Sequence, residues 1–266
     1  MPFTWNYIYE NGKLFGDSLK NSNFSLTNNK IFSYPGYNEI LTGEADSTIN
    51  SNAKIYNKNV TVLEKLNQTN NYKNKIAAFT SWDVFPYIIN DKRSGIPVNA
   101  GYMQESNVNT PVVDYINKNQ IRTPVIWENV RLDVYTHNFA LEYIKKKKPK
   151  LVYIAYGETD DFAHDGEYDF YINSLNYTDN MIAELWNYVQ GNKFYKDNTY
   201  FIITTDHGRG LMEDWSGHGT SKASWLAILG PNIKKTGLVE GKFYTNQIAE
   251  TIMQISKKSK TKIPTD

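Results

Sequence analysis

The sequence predicts an α/β fold in which a mostly parallel central sheet has helices on both faces. Three short segments are apolar throughout, at Lys75–Ser81, Leu151–Tyr156 and Thr199–Thr205. Apolar strands of this kind are typical of parallel sheets that are covered on both faces. Helical patterns separate these segments, and the alternation of strands and helices favours a single α/β domain over residues 1–266.

The individual elements follow from local signals along the chain. A short helix is expected near Phe3–Asn11, and a second over Tyr34–Thr42, because Pro35 suits a first helical turn and Gly43 suits a helix end. The middle of the chain is expected to be rich in loops. The other predicted elements are helices at Val130–Lys148, Glu167–Gln190 and Thr245–Ile255, and a strand at Trp225–Leu229.

Composition limits the classes of function. The 266 residues carry a formal net charge of +1, which gives no reason to propose a nucleic-acid partner. The sequence has no Cys, so any metal must be held by His and carboxylates. Its first residues lack the pattern of a signal peptide, and no stretch approaches the roughly 20 apolar residues of a membrane span. The chain as given is therefore expected to be soluble, without a membrane partner.

Carboxylates and histidines follow two of the predicted strands. One pair is spaced to share a face of a helical turn, a second pair directly follows a strand, and a further His lies between two glycines. These residues are, in that order, Asp160 and His164, Asp206 and His207, and His218. Because ligands of parallel sheets bind beyond the carboxyl ends of the strands, three such placements at one sheet edge indicate a metal site.

The ligand types restrict the metal and its chemistry. Nitrogen and oxygen ligands without sulfur suit Zn²⁺, with Mn²⁺ or Fe as alternatives. So many ligands favour two ions, which at a separation of about 4 Å can clamp the attacking and leaving oxygens of a phosphoryl transfer. His137 lies outside this pattern and is taken as structural.

Phosphoryl transfer of this kind requires a nucleophile, and Ser33 is the candidate. It stands at the start of a predicted helix, where free N–H groups and the positive helix end attract a phosphate. Coordination to a metal would lower the pKa of its hydroxyl and activate it. A Ser in this position is, by default, a helix cap.

Four motifs, in this order, resemble those of the alkaline phosphatase superfamily. They look closest to its type I phosphodiesterase and nucleotide pyrophosphatase-like branch, whose nucleophile precedes an aromatic-Pro step and a helix that ends in Thr-Gly. The likeness extends from Phe32 to Ile255. The motifs are Ser33–Gly43, Glu158–Asp160 with His164, Thr205–Gly208, and His218 with Gly219.

The resemblance implies a metal-dependent hydrolase of phosphate mono- or diesters that acts through a phosphoserine at Ser33. An Asn after the nucleophile would hold a phosphate oxygen; Asn52 is the choice and Asn50 its rival, and Arg209 could also reach the phosphate. The implied ligands are Asp160, His164 and His218 for one zinc ion, and Asp206 and His207 for the second.

One part of the family pattern is missing from the sequence. Members open with an apolar strand that ends in Asp-Gly, and this Asp is a ligand of the second metal. Before Ser33 the only acidic residues are Glu10 and Asp17, and neither follows an apolar strand. The chain therefore looks like a member without its first strand. It would be either a fragment of a precursor that could carry a signal peptide for the periplasm or for secretion, or a shortened protein with a weak second site.

A small-molecule phosphate ester is the expected substrate, and three alternatives remain. A sulfatase would need Arg where Tyr37 stands, and a phosphoglycerate mutase-like enzyme would need a large inserted domain between Thr42 and Asp160. A non-catalytic remnant of the fold is the alternative from a different class, because function depends on the site rather than on the fold.

Overall fold

Strands and helices alternate along the chain in the structure, a computed structural model that describes residues 1–258. The last eight residues of the predicted domain, 259–266, lie outside the described residues. The strands are β1 (Lys13–Phe15), β2 (Ser22–Ser25), β3 (Ile76–Thr80), β4 (Val98–Ala100), β5 (Leu151–Ala155), β6 (Phe201–Thr204), β7 (Leu226–Leu229), β8 (Gly237–Leu238) and β9 (Gly241–Tyr244).

Each of the predicted helices has a counterpart in the structure. The helices are α1 (Tyr9–Asn11), α2 (Ser33–Thr42), α3 (Val62–Asn67), α4 (Phe85–Ile89), α5 (Asp91–Ser94), α6 (Pro111–Arg122), α7 (Asp133–Lys147), α8 (Glu158–His164), α9 (Tyr168–Gly191) and α10 (Gln247–Lys258). A π-helix at Phe3–Ile8 leads into α1, and α2 ends as predicted because Gly43 takes a φ of +83°. Within residues 1–258, no helix has both the length and the apolar character that a membrane crossing needs.

The chain divides into two compact units. The first contains Met1–Ser51 and residues 183–258, and the second contains Asn52–Ile182. Each unit has its own sheet and its own buried residues. The expectation of one domain over the whole chain stays a prediction.

The second unit is built on a parallel sheet with the strand order β4-β3-β5. The central strand β3 is buried at every residue, as its continuous apolar sequence predicts. Its Phe79 lies in a core cluster with Phe139 and Ala140 of α7 and with Val113 and Ile116 of α6. This packing places the carboxyl end of β3 beside the end of β5, which leads into α8.

The first unit contains a four-stranded sheet with the order β6-β7-β1-β8 and a parallel pair, β2-β9. Strand β7 is antiparallel to both of its neighbours, whereas β1 and β8 are parallel. The predicted α/β class with parallel sheets is confirmed. The described strands nevertheless form three separate sheets rather than a single central one. Apolar sequence predicts a strand, but the choice of its partner depends on residues far away in the chain.

Two further details differ from the sequence prediction. Strands β5 and β6 are only half-buried, and each is the edge strand of its sheet within the described part of the chain. The middle of the chain, expected to be rich in loops, contains α3 to α6. Helix α6 carries clear local signals, because the Thr110 side chain accepts a hydrogen bond from the Val113 N–H at 3.2 Å and Pro111 occupies the first turn.

Replacing Phe79 with Ala should destabilise the second unit, because the lost ring leaves a cavity in the buried cluster between β3, α6 and α7. We expect a loss of about 3–5 kcal/mol in the free energy of unfolding, measured by urea denaturation. Tyr115→Ala is the control, since that ring is 67% exposed. Equal losses in the two variants would contradict the assignment of Phe79 to the core.

Candidate metal centre

In the first unit, Ser33 and the Asp206-His207 pair come together from distant parts of the chain. Ser33 is the first residue of α2, and Asp206 and His207 follow the end of β6. The Ser33 Oγ lies 3.4 Å from His207 Nε2, and the same nitrogen lies 3.4 Å from Asp206 Oδ2. The structure therefore places the predicted nucleophile beside two of the predicted ligands.

A glycine makes this approach possible. A Cβ atom on Gly36, in the first turn of α2, would lie 2.2 Å from the carbonyl oxygen of Asp206. No side chain fits at that distance, so the first turn of the helix rests directly on the backbone of the second motif. Gly36 thus explains how Ser33 reaches His207.

The ring of His207 is oriented by its own neighbourhood. Its Nδ1 lies 3.0 Å from the carbonyl oxygen of Gly208, which can only accept a hydrogen bond. In the neutral ring the proton then belongs on Nδ1, and the lone pair of Nε2 points towards the Asp206 carboxylate. Two acceptors 3.4 Å apart fit a cation that both could bind, and imidazole and carboxylate are suitable ligands for Zn²⁺.

His218, the second histidine of this unit, lies beside His207 at the end of a tight loop. The ring centroids of His207 and His218 are 4.0 Å apart, and each ring offers a nitrogen within 4.8 Å of the other. The loop between them is closed by a hydrogen bond from the Gly210 N–H to the Gly217 carbonyl at 2.9 Å. Arg209 donates to the Ser216 carbonyl at 3.1 Å and so supports this loop.

The segment before Ser33 is held by a buried carboxylate that sequence reasoning did not identify. Glu39 of α2 is fully buried and accepts hydrogen bonds from the N–H groups of Thr27 and Asn28 at 2.8 and 2.9 Å, and from both of their side chains. Asn28 Oδ1 in turn accepts from the N–H of Ile31 at 3.3 Å. Ile31 has a φ of +47°, which is strained for a β-branched residue. These hydrogen bonds hold the backbone that leads into Ser33.

In the second unit, Asp160 and His164 occupy one face of α8, as their spacing predicts. His164 Nε2 lies 3.3 Å from Asp160 Oδ2, and both side chains are partly exposed, by 41% and 33%. Helix α8 begins where β5 ends, so the two residues stand beyond the carboxyl end of a parallel strand.

Two carboxyl groups lie beside this motif, the buried Asp133 at the start of α7 and the half-buried Glu158 at the start of α8. Burial, and secondarily the charge of Glu158, raises the pKa of Asp133 to about 7. Burial also raises the pKa of Glu158. Sequence reasoning named Glu158 only as part of a motif and missed Asp133, although an Asp or Glu in the first turn of a helix is a recognisable signal.

The structure also places the remaining residues of interest. His137 is buried in α7 with its Nδ1 2.9 Å from the Tyr156 hydroxyl, which agrees with a structural role. Asn50 and Asn52 are exposed in the loop after α2, and the choice between them as a phosphate ligand stays a prediction.

Comparisons with known proteins add the following findings. The family model described as "Metalloenzyme superfamily" matches residues 33–257. A search of curated protein sequences finds no match. Among solved structures, the lipoteichoic acid synthase LtaP from Listeria monocytogenes is similar at 14% identity and a TM-score of 0.63, over 95% of this chain and 65% of that one.

Two further structures are similar. A protein in the alkaline phosphatase superfamily from Vibrio parahaemolyticus has 13% identity and a TM-score of 0.59, over 95% of this chain and 59% of that one. A TAB5 alkaline phosphatase mutant with Mg bound has 13% identity and a TM-score of 0.58, over 96% and 93%. This chain thus spans less than two thirds of the LtaP and Vibrio chains. At these identities the similarity shows the fold, and it confirms the predicted alkaline phosphatase-like α/β class.

The contact at Gly36 gives a testable consequence. Gly36→Ala should lower the free energy of unfolding by about 1–3 kcal/mol, because the new methyl group meets a backbone oxygen that cannot move aside. Urea denaturation measures this loss. Gly191→Ala is the matched control, since a Cβ there meets nothing within 4 Å. A Gly36 variant as stable as that control would contradict the close approach.

Proposed function

This chain belongs to the metalloenzyme superfamily, and we propose that it hydrolyses phosphate mono- or diesters through a phosphoserine at Ser33. The observation that carries the proposal is the position of Ser33 at the start of α2, with its Oγ 3.4 Å from His207 Nε2. A hydroxyl at a helix N-terminus beside metal-ligand side chains is suited to attack a phosphate.

Two divalent metal ions are part of the proposal, with zinc preferred and manganese or iron as alternatives. When bound, they would neutralise charge on the transferring phosphoryl group and lower the pKa values of the attacking hydroxyl and water. The assignment of metal ligands is supported by geometry for the residues of the first unit and by the sequence motifs for the residues of the second. The proposed ligands are Asp160, His164 and His218 for one ion, and Asp206 and His207 for the other.

The proposed reaction has two displacements at phosphorus. In the first, Ser33 Oγ gives up its proton and bonds to phosphorus, while the bond from phosphorus to the ester oxygen breaks and the departing alcohol takes up a proton. In the second, a water oxygen bonds to phosphorus, the bond to Ser33 Oγ breaks, and a proton returns to the serine. The positive N-terminal end of α2 favours the anionic phosphate in both steps.

The substrate is proposed to be a small-molecule phosphate ester, without a nucleic-acid or membrane partner. Asn52 is proposed to hold a phosphate oxygen, with Asn50 as its rival; both lie in the exposed loop that follows α2. Arg209 is a weaker candidate for this task, since it already donates to the Ser216 carbonyl.

A non-catalytic domain of the same fold is the second candidate function. It stands beside the hydrolase because function depends on the residues of the site rather than on the fold. The two candidates differ in metal content and in turnover.

Ser33→Ala should abolish hydrolysis of p-nitrophenyl phosphate and its bis-ester, with kcat falling by at least about 10³-fold, because no nucleophile remains. The metal content should not change, because the variant keeps all five proposed ligands. Steady-state assays and elemental analysis measure the two quantities. Ser47→Ala, an exposed serine in the same unit, should behave like the wild type. Hydrolysis retained by Ser33→Ala would rule out Ser33 as the nucleophile.

Metal content separates the two candidate functions. For the enzyme we expect two ions per chain by mass spectrometry, loss of turnover on chelation, and recovery on adding Zn²⁺ or Mn²⁺. One ion or none, together with no esterase activity, would support the non-catalytic domain instead.

A further inference from the structure

The carboxylate of Asp133 is buried at the start of α7, where it holds the backbone of the neighbouring loop. Its Oδ1 accepts hydrogen bonds from the Gly157 N–H at 2.7 Å and from the Ser81 hydroxyl at 2.5 Å. Its Oδ2 accepts from the Glu158 N–H at 3.1 Å. Asp133 therefore holds the last residue of the loop between β5 and α8 and the first residue of α8.

Glu158 returns the same interaction. Its Oε1 accepts a hydrogen bond from the Asp133 N–H at 2.7 Å. Each carboxylate thus satisfies backbone N–H groups at the N-terminus of the other helix, which an isolated helix leaves unpaired. We call Asp133 and Glu158 the carboxylate pair.

The carboxylate pair leads directly to Asp160. The carbonyl of Gly157, whose N–H is bound by Asp133, accepts hydrogen bonds from the N–H groups of Asp160 at 3.0 Å and Asp161 at 3.2 Å. The backbone of Gly157 packs closely against Val130, since a Cβ on Gly157 would lie 2.7 Å from Val130 Cγ1. Gly157 therefore has little room to shift. A displacement of Asp133 would therefore move the backbone of Asp160.

A second layer of buried groups fixes Asp133 itself. The Ser81 hydroxyl lies 2.7 Å from Thr136 Oγ1, which accepts from Arg131 Nε at 2.8 Å. Arg131 is fully buried and also donates to Asn99 Oδ1 at 2.6 Å. These hydrogen bonds link the end of β3 and strand β4 to α7, so they anchor the carboxylate pair to the sheet.

Helix capping alone is a poor explanation for this arrangement. A neutral Asn or Ser would cap either helix, whereas the buried Asp133 loses hydration and is repelled by its half-buried neighbour Glu158. Such a costly arrangement is expected where the position of a functional group must be held closely.

We propose that the carboxylate pair positions the metal ligand Asp160, with Asp133 as the positioning residue. This inference rests on the proposed function, because it assigns Asp160 to a metal. The pair would act only through the Gly157–Asp160 backbone, and it would not bind the metal itself.

The test compares Asp133→Asn with Glu105→Gln, which changes another buried carboxyl group in the same unit. Isothermal titration of the metal-free protein with Zn²⁺ should show a dissociation constant 10- to 100-fold higher for Asp133→Asn. Hydrogen exchange of the peptide covering residues 156–164 should become at least tenfold faster. Glu105→Gln should change neither quantity.

Each result has a defined meaning. If Asp133→Asn bound zinc as tightly as the wild type while Asp160→Ala lost zinc, the positioning role would be overturned. The proposed function would remain intact. If the wild type bound none of Zn²⁺, Mn²⁺ and Fe²⁺, the proposed function would fail, and with it the role of the pair at a metal. Unchanged hydrogen exchange would then show that the pair does not hold the loop either.

A second variant is needed if Asp133→Asn does not fold. Ser81→Ala removes one hydrogen-bond donor to Asp133, and it should raise the zinc dissociation constant and the hydrogen-exchange rate by about threefold to tenfold. No change in either quantity would also overturn the inference.

Discussion

The close contact between the first turn of α2 and the backbone after β6 is the constraint on which the first unit's site depends. Because Gly36 has no side chain, the helix can rest on the Asp206 carbonyl, and Ser33 reaches His207. A contact through backbone atoms has little freedom to adjust, so it sets the position of the nucleophile more tightly than side-chain packing would. The strained backbone at Ile31 is tolerated because the surrounding hydrogen bonds hold this segment in place.

Both units use a buried carboxylate to hold the segment that carries a motif. In the first unit Glu39 binds the N–H groups that precede Ser33, and in the second unit Asp133 binds those that precede Asp160. A carboxylate offers several lone pairs to neighbouring N–H groups, and charge-assisted hydrogen bonds are stronger than neutral ones. Such groups can immobilise a short loop that has no regular structure of its own.

The motifs themselves are rich in negative charge. The first turn of α8 carries Glu158, Asp160 and Asp161, and in the first unit Asp206 lies beside an imidazole whose lone pair faces it. The N-terminal end of α8 offsets part of the charge on that helix. Cations would offset the rest, which is the physical reason that the proposed function includes metal ions.

The sequence alone determined the features that depend on local patterns. It predicted the α/β class, the helix over Tyr34–Thr42, and the shared helical face of Asp160 and His164, because each follows from periodicity or from a turn residue. It also contains the signals for α6, a capping Thr followed by Pro111. Only the tertiary structure decided how the strands divide into three sheets and which buried carboxylates hold the motifs. Those features depend on close approaches and hydrogen bonds between residues far apart in the chain, and such contacts leave no periodic pattern in the sequence.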